Sequence, residues 1–291
     1  MAKNEDPNES KKMPLLEHLV ELRQRLFYSA IGLVVAFIGC WFVSQFILDF
    51  LLQPLNDVWH EEYGVGLPRI IYTSLTEAFF TRVKIAFFGA LVIAFPLLAG
   101  QLWAFVAPGL YKHEKSAFLP FLIATPILFA LGASLLYYVL LPFAWQFFVS
   151  FQTKGGPDTV PIELLPRVGE YVSLVMKLIF AFGFCFQMPV LLTLLTKVGI
   201  IGSETLREKR RYAIVIVFVV AAVVTPPDPI SQLSLAFPML LLYEASIWAS
   251  RLIERQRDRN REREEGGADQ AGKDSQSGDG TALERSGAAS A

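Results

Sequence analysis

The chain has 291 residues, of which 53% are hydrophobic and 13% aromatic, and its mean hydropathy is +0.43. This composition is too apolar for a water-soluble domain of this size and indicates a membrane protein with several spans. The net charge of −1 says little, and the two cysteines, Cys40 and Cys185, lie inside apolar runs and do not indicate a disulfide framework. No cleavable signal peptide is expected, because the first apolar run begins only at Leu26 and no small-residue cleavage site follows it.

Six apolar runs are candidate membrane spans. A hydrocarbon core about 30 Å thick requires about 20 apolar residues as a helix. In chain order the runs are Leu26–Phe46, Val83–Leu102, Ala117–Phe148, Tyr171–Thr196, Tyr212–Val224 and Ile230–Ser250. The fifth run has only 13 clearly apolar residues. That length gives about 20 Å of helix, which is too short to cross an unperturbed bilayer.

Prolines within these runs predict bent helices. Each proline removes a backbone donor and tends to kink a helix. They are Pro96, Pro120, Pro126, Pro142, Pro189 and Pro238. The predicted fold class is therefore all-α: a polytopic membrane protein with six transmembrane helices in a bent, cup-like bundle.

The distribution of lysine and arginine predicts the orientation. With the N-terminus inside, the inner segments hold 18 Lys and Arg residues and the outer segments only four, namely Arg69, Arg82, Lys154 and Arg167. Because inner loops carry the excess of basic residues, both termini are expected in the cytoplasm. The predicted divisions are an N-terminal tail (1–13), a transmembrane domain (14–254) and a C-terminal tail (255–291). From Gly266 onward this tail has almost nothing to bury and is expected to be disordered.

Two helix starts carry their own signals. In "TSLTEAFF", Ser74 with Glu77 three residues later forms a capping box, so a helix is expected to begin near Leu75. In "GSETLREKRRY", Ser203 is expected at an N-cap position, with Glu204 in the first turn, where the helix dipole favours an acid. The fifth helix is thus expected to be longer than its apolar part, with two basic cytoplasmic turns at its start.

No catalytic, nucleotide-binding or metal-binding motif is present in the sequence. The three histidines, His18, His60 and His113, lie on three separate segments. The protein is therefore expected not to be an enzyme, and to need neither a cofactor nor a metal nor nucleic acid. An intramembrane protease or lipid-modifying enzyme is the weakest alternative.

Acidic and polar residues stand at the ends of the spans and inside them. An ionisable group at the bilayer centre costs about 2.5 kcal/mol or more, so such a residue is a functional candidate. The residues concerned are Glu17, Glu21, Glu114, Gln187, Asp228 and Glu244.

Each candidate also has a structural interpretation. Glu21 precedes Arg25 by four residues, the favourable order for an ion pair on a helix. Glu114 lies in a turn beside two lysines, and Gln187 can bond a neighbouring helix. Asp228 follows two prolines, as in a turn. Glu244 has no basic partner nearby in sequence, which favours a functional role.

Five motifs resemble the TatC family, the large subunit of the twin-arginine protein translocase. They are "HLVELRQRL" before the first span, "QLWAFVAPGLYKHEK" after the second, "FAFGFCFQMPV" in the fourth, and "REKRRY" and "TPPDPISQ" on either side of the fifth. The motifs occur in order between Leu15 and Ser250. Each motif alone is modest, but the ordered set together with six spans is specific.

The resemblance implies a receptor that works in the bacterial cytoplasmic membrane and is driven by the proton-motive force. It implies that the protein binds signal peptides bearing paired arginines, associates with the single-span proteins TatA and TatB, contacts membrane lipids and self-associates. The residues that engage the arginine pair are implied to be Glu21 and Glu114, with Leu22, Arg23 and Phe105 shaping the same surface. Pro54 and Asp228 are implied to matter on the outer side. Many members carry glutamate at the position of Gln187; with Glu244, this residue is expected to contact a partner helix.

A different class of function also fits the composition. A secondary transporter of a small solute or ion would use Glu244 and Gln187 as its intramembrane site. Binding of twin-arginine peptides near Glu21 and Glu114 distinguishes the receptor from the transporter.

Overall fold

The computed structural model describes residues 7–64, 69–110, 119–153, 164–225 and 229–287. Within these residues the secondary structure is helical, apart from turns and isolated bridges, which confirms the predicted all-α class. The helices are α1 (Pro7–Phe42), α2 (Ser44–Tyr63), α3 (Leu75–Leu110), α4 (Leu119–Leu135), α5 (Leu141–Val149), α6 (Val168–Cys185), α7 (Met188–Val198), α8 (Ser203–Glu208), α9 (Arg210–Val224) and α10 (Pro229–Gly287).

Five segments of the described chain are long and apolar enough to cross a membrane. They are His18–Phe42, Leu75–Phe105, Pro120–Val149, Val168–Val198 and Ser231–Arg259. The remaining predicted span corresponds to α9, which has 15 residues and a length of about 22 Å. The count of six spans and the position of both termini in the cytoplasm therefore stay predictions.

Several predicted spans are interrupted in the structure. The first was expected to continue to Phe46, but α1 ends at Phe42, and the Ser44 hydroxyl donates to the Trp41 carbonyl at 2.8 Å. A serine side chain bonding the backbone in this way competes with helix continuation. A π-helical turn separates α4 from α5 directly before Pro142, and a turn at Phe186 and Gln187 separates α6 from α7 directly before Pro189. The last two breaks lie next to prolines, which lack the backbone donor that a continuous helix requires.

The core of the bundle surrounds α6. Val172 and Val175 on this helix are fully buried, and they join a cluster that includes Leu51 and Ile85. A β-carbon added to Gly183 would lie 2.3 Å from the Phe129 ring. Glycine at this position therefore allows α4 and α6 to approach closely, as small residues do between membrane helices.

Glu77 links the starts of α3 and α6 at one end of the bundle. The Glu77 N–H donates to the Ser74 hydroxyl at 3.3 Å, and the Glu77 carboxylate accepts the Thr73 N–H at 2.7 Å. The predicted capping box and the helix start at Leu75 are confirmed. The same carboxylate accepts the Gly169 N–H at 3.2 Å, so it also bonds the first turn of α6. The chain segments before these two helices meet in a bridge between Ile71 and Arg167.

The other end gathers the basic segments, and we call it the basic end (residues 18–25, 103–105, 196–211 and 250–259). Here the Trp103 indole donates to the Thr125 hydroxyl at 2.9 Å, and the Lys197 amine lies 5.4 Å from the centre of the Phe121 ring. The Thr196 hydroxyl bonds the Ser250 hydroxyl at 2.9 Å. The segments predicted to be cytoplasmic therefore meet at one end of the bundle, and those predicted to be outer meet at the other.

Two sequence predictions at the C-terminal part of the chain have different outcomes. Ser203 was expected at an N-cap position, which is wrong: it is the first residue of α8, and Gly202 is the cap. Its N–H donates to the Glu254 carboxylate instead. Helix α10 continues to Gly287. The disorder of the tail and the division of the chain stay predictions.

Candidate functional site

Only one of the two carboxylate oxygens of Glu21 is bonded to Arg25, and the other is more open. The Nε and Nη2 atoms of Arg25 both donate to Glu21 Oε1, at 2.9 and 2.5 Å. Glu21 Oε2 lies 3.8 Å from His18 Nδ1, too far for a hydrogen bond. The expected pair of Glu21 and Arg25 is thus confirmed, and a third of the Glu21 side chain remains exposed (33%).

An aromatic contact beside Glu21 connects α1 to α3. The His18 and Phe105 rings are stacked with their centroids 4.3 Å apart and their planes 10° from parallel. His18, Glu21 and Leu22 lie on one face of α1, because they are three and four residues apart. The structure therefore brings Glu21, Leu22 and Phe105 to one surface at the basic end. With His18 and Arg25, we call these residues the Glu21 surface.

Other residues implied in peptide recognition have different positions. Arg23 is exposed, but it follows Glu21 by two residues and therefore projects from nearly the opposite face of α1. Glu114 and Asp228 lie outside the described residues. Glu114 follows the end of α3 at Leu110 by four residues. A joint site of Glu21 and Glu114 therefore stays a prediction.

Gln187 stands at the break between α6 and α7. Its amide nitrogen donates to the Thr125 carbonyl on α4 at 2.9 Å, which confirms the interpretation that this residue bonds a neighbouring helix. Its oxygen is buried and accepts no hydrogen bond from a described residue. A buried acceptor without a partner lowers stability, and a donor that reaches it would bind favourably.

Glu244 has a basic partner that sequence proximity did not indicate. Arg210 Nη2 donates to Glu244 Oε2 at 2.6 Å, across 34 residues of chain, and both side chains are exposed. Glu244 is paired although no basic residue lies near it in sequence, because antiparallel packing brings the start of α9 beside α10. The basic run "REKRRY" was the signal that could have identified the partner. No described hydrogen bond or ion pair joins Glu244 to Gln187, although their neighbours Tyr243 and Met188 pack in one hydrophobic cluster.

Two further expectations concern Pro54 and metal binding. Pro54 is buried inside α2, which continues through it without a break. No group of three or more His, Cys, Asp or Glu residues in the described ranges is placed to hold a metal ion. The absence of a cofactor stays an expectation.

The sequence and fold match one protein family. Residues 17–238 match the family model described as Sec-independent protein translocase protein (TatC), which is more than half of the chain. The chain belongs to the TatC family. The TatC protein of Magnetococcus marinus is 48% identical over 246 residues, covering 84% of this chain and 87% of that protein. The TatC protein of Rickettsia prowazekii is 43% identical over 244 residues, covering 84% and 95%.

A solved structure supports the same assignment. The crystal structure described as twin arginine translocase receptor TatC is 37% identical and has a TM-score of 0.68. The match covers 81% of this chain and 99% of that one. These matches confirm the predicted resemblance and the polytopic membrane fold. They also favour the TatC interpretation over a small-solute transporter.

Proposed function

We propose that this protein is the receptor subunit of a twin-arginine translocase, which binds signal peptides and exports folded proteins across the cytoplasmic membrane. The names of its relatives, Sec-independent protein translocase and twin arginine translocase receptor, support this proposal. With both termini in the cytoplasm, the basic end faces the compartment from which the peptides arrive. The subunit binds and transports without catalysing a reaction, and the proton-motive force drives the transport.

The Glu21 surface carries the proposal. Carboxylates favour an arginine pair over a lysine pair. A planar guanidinium donates two parallel hydrogen bonds to a carboxylate, and a lysine amine cannot. Glu21 Oε2 is the open oxygen, since Arg25 bonds only Oε1. An incoming guanidinium therefore binds Oε2 or displaces Arg25. Leu22 is 40% exposed beside it and offers apolar contact to the peptide.

Glu114 supplies the second carboxylate in this proposal. It follows the end of α3, the same helix that carries Phe105 to the Glu21 surface. Each acid binds one guanidinium of the pair. Charge-assisted hydrogen bonds of about 1.5–3 kcal/mol each give an affinity that remains reversible.

The partner helices of TatA and TatB are proposed to dock beside α9. This helix exposes an apolar stripe of Val215, Val219 and Val223, which are four residues apart and 58–72% exposed. Because α9 is short, a docked helix also relieves the mismatch with the bilayer. Gln187 and the Glu244–Arg210 pair offer polar contacts to the same partners. Photo-crosslinkers placed from Val215 to Val223 should capture a partner helix in the assembled complex. Capture of lipid alone would contradict this docking site.

The decisive experiment compares two peptides on matched variants. Signal peptides with an Arg-Arg or a Lys-Lys pair are titrated onto the full-length protein in nanodiscs. The proteins are the wild type, Glu21→Ala, Glu114→Ala and the double variant. Each single change should weaken binding of the Arg-Arg peptide roughly ten- to a hundredfold, and the Lys-Lys peptide should lose less. The two losses should be coupled in a double-mutant cycle, because the peptide needs both contacts to dock in register.

The control is Glu208→Ala, which removes an exposed acid from the same end of the bundle, outside the Glu21 surface. It should leave both affinities unchanged. Equal losses for both peptides would reduce the two acids to general electrostatic attraction. No loss for either peptide would make Glu21 only the ion-pair partner of Arg25.

A further inference from the structure

Arg82 is a cation placed inside an apolar helix, at the end of the bundle opposite the basic end. It lies seven residues into the candidate span Leu75–Phe105, about 10 Å along the helix from its start. Charged groups at such positions normally pair with an opposite charge. Among the described residues, however, Arg82 forms no ion pair, and its Nε donates to the Ser44 hydroxyl at 3.2 Å.

This hydrogen bond fixes the direction of the guanidinium. Ser44 is buried at the break between α1 and α2, and its own hydroxyl hydrogen is donated to the Trp41 carbonyl. The hydroxyl oxygen is therefore oriented to accept from Arg82. The two terminal nitrogens of Arg82 donate to no described residue, so four N–H groups remain available to an acceptor.

A cavity of about 170 Å³ lies beside this guanidinium. It is walled by the joint of α1 and α2 on one side and the first turns of α3 on the other. Its lining combines hydroxyl, amide and guanidinium groups with apolar side chains: Ser44, Gln45, Leu48, Tyr72, Ala78, Thr81, Arg82 and Ile85. A water molecule takes up about 30 Å³ of liquid volume, so the cavity accepts a group of several heavy atoms.

Two amphipathic aromatic residues indicate that the cavity lies at the surface of the bilayer. Tyr72 lines the cavity and is 46% exposed, and Trp41 lies near the end of α1 with its ring 6.2 Å from that of Phe79 on α3. Tryptophan and tyrosine gather at the level of the lipid headgroups. The anion most abundant at that depth is the phosphate of a phospholipid.

We infer that Arg82 and the cavity between the α1–α2 joint and α3 form a binding site for the phosphate of a phospholipid headgroup. The guanidinium binds two phosphate oxygens, as arginine does with planar, two-pronged geometry. The Thr81 and Tyr72 hydroxyls are the further donors that line the cavity, and Leu48 and Ile85 contact the apolar part of the lipid. Two acids lie near this site, and their charge opposes the anion. Asp49 accepts a hydrogen bond from the Gln45 amide at 3.0 Å, and Glu77 lies one helical turn before Thr81, which lines the cavity.

The test measures lipid retention by native mass spectrometry of the full-length protein, titrated with phosphatidylglycerol in detergent. Arg82→Gln should weaken the tightest phosphatidylglycerol binding event roughly tenfold. Arg82→Lys should give an intermediate loss, because it keeps the charge and loses the two-pronged geometry. Asp49→Asn should strengthen binding. The matched control is Lys84→Gln, an exposed cation two residues along the same helix that does not line the cavity.

Four results would overturn the inference. Unchanged lipid binding by Arg82→Gln would remove the site, and an equal loss in Lys84→Gln would show only general attraction to anionic lipid. Full affinity in Arg82→Lys would exclude the two-pronged contact. Displacement of the lipid by millimolar inorganic phosphate would assign the cavity to a free anion instead. The thermal midpoint of each variant, measured without added lipid, confirms that binding is compared between folded proteins.

Discussion

Glu254 bonds Ser203 through both of its carboxylate oxygens. The Ser203 N–H donates to Oε1 at 2.8 Å, and the Ser203 hydroxyl donates to Oε2. Because Ser203 is the first residue of α8, its N–H is one of the donors that have no partner within the helix. An acid on α10, 51 residues away, therefore supplies the cap that the local sequence does not.

Removing this acid should destabilise the basic end. Glu254→Ala leaves the α8 donors unbonded inside a packed junction, and we expect a loss of about 1.5–3 kcal/mol in the free energy of unfolding. Thermal unfolding in detergent measures it. Glu208→Ala, an exposed acid at the end of α8, should keep the wild-type midpoint. Equal midpoints for the two variants would contradict a capping role for Glu254.

Arg25 should compete with the signal peptide. It already donates twice to Glu21 Oε1, so Arg25→Gln frees that oxygen. We expect the Arg-Arg peptide to bind up to about fivefold more tightly, because a partly exposed ion pair within one helix contributes less than about 1 kcal/mol. Arg23→Gln removes the same charge from the other face of α1 and should bring no gain. An equal gain in both variants would indicate a change in overall charge rather than competition at Glu21.

The stack of His18 on Phe105 should determine how firmly the Glu21 surface is held. Phe105→Ala removes the ring that stacks on His18, with the two ring centroids 4.3 Å apart. An aromatic pair contributes about 0.5–1.5 kcal/mol, so the Arg-Arg peptide should bind roughly three- to tenfold more weakly. Phe105→Tyr retains the ring and should bind within about twofold of the wild type. If both variants bind equally, the stack does not position Glu21.

The C-terminal tail should be dispensable. From Gly266 onward the sequence offers almost no apolar surface to bury. Truncation after Glu265 should leave export of a twin-arginine reporter protein close to the wild-type level. A loss as large as that of Glu21→Ala would show that the tail takes part in transport.

The features that the sequence predicted correctly are local ones. The capping box at Ser74 and Glu77 gave the start of α3, and the spacing of Glu21 and Arg25 gave their ion pair, because both depend on residues within one or two helical turns. The bonds of Glu254 to Ser203 and of Arg210 to Glu244 were missed, since they join residues 51 and 34 positions apart. Periodicity identifies a helix and its apolar residues, but it does not say which turn of another helix lies beside it.

The family motifs predicted more of the candidate site than the residue patterns did. Phe105 is an apolar residue near the end of a span. Neither its residue type nor its spacing from other apolar residues distinguishes it from a residue of the hydrophobic core. Its stack on His18 becomes visible only when α1 and α3 are packed. Gln187 shows the same limit: its position inside a span indicated a polar contact, but its unbonded buried oxygen is a property of the folded neighbours.

The double role of Glu77 limits how α3 and α6 can move. Its carboxylate accepts the N–H of Thr73, just before α3, and the N–H of Gly169 in the first turn of α6. Lengthwise sliding of one helix past the other would break the bond to Gly169, whereas a change of tilt about that end would keep it. We therefore expect α3 to move relative to α6 by tilting about this end, which would displace the opposite end of α3, where Phe105 lies.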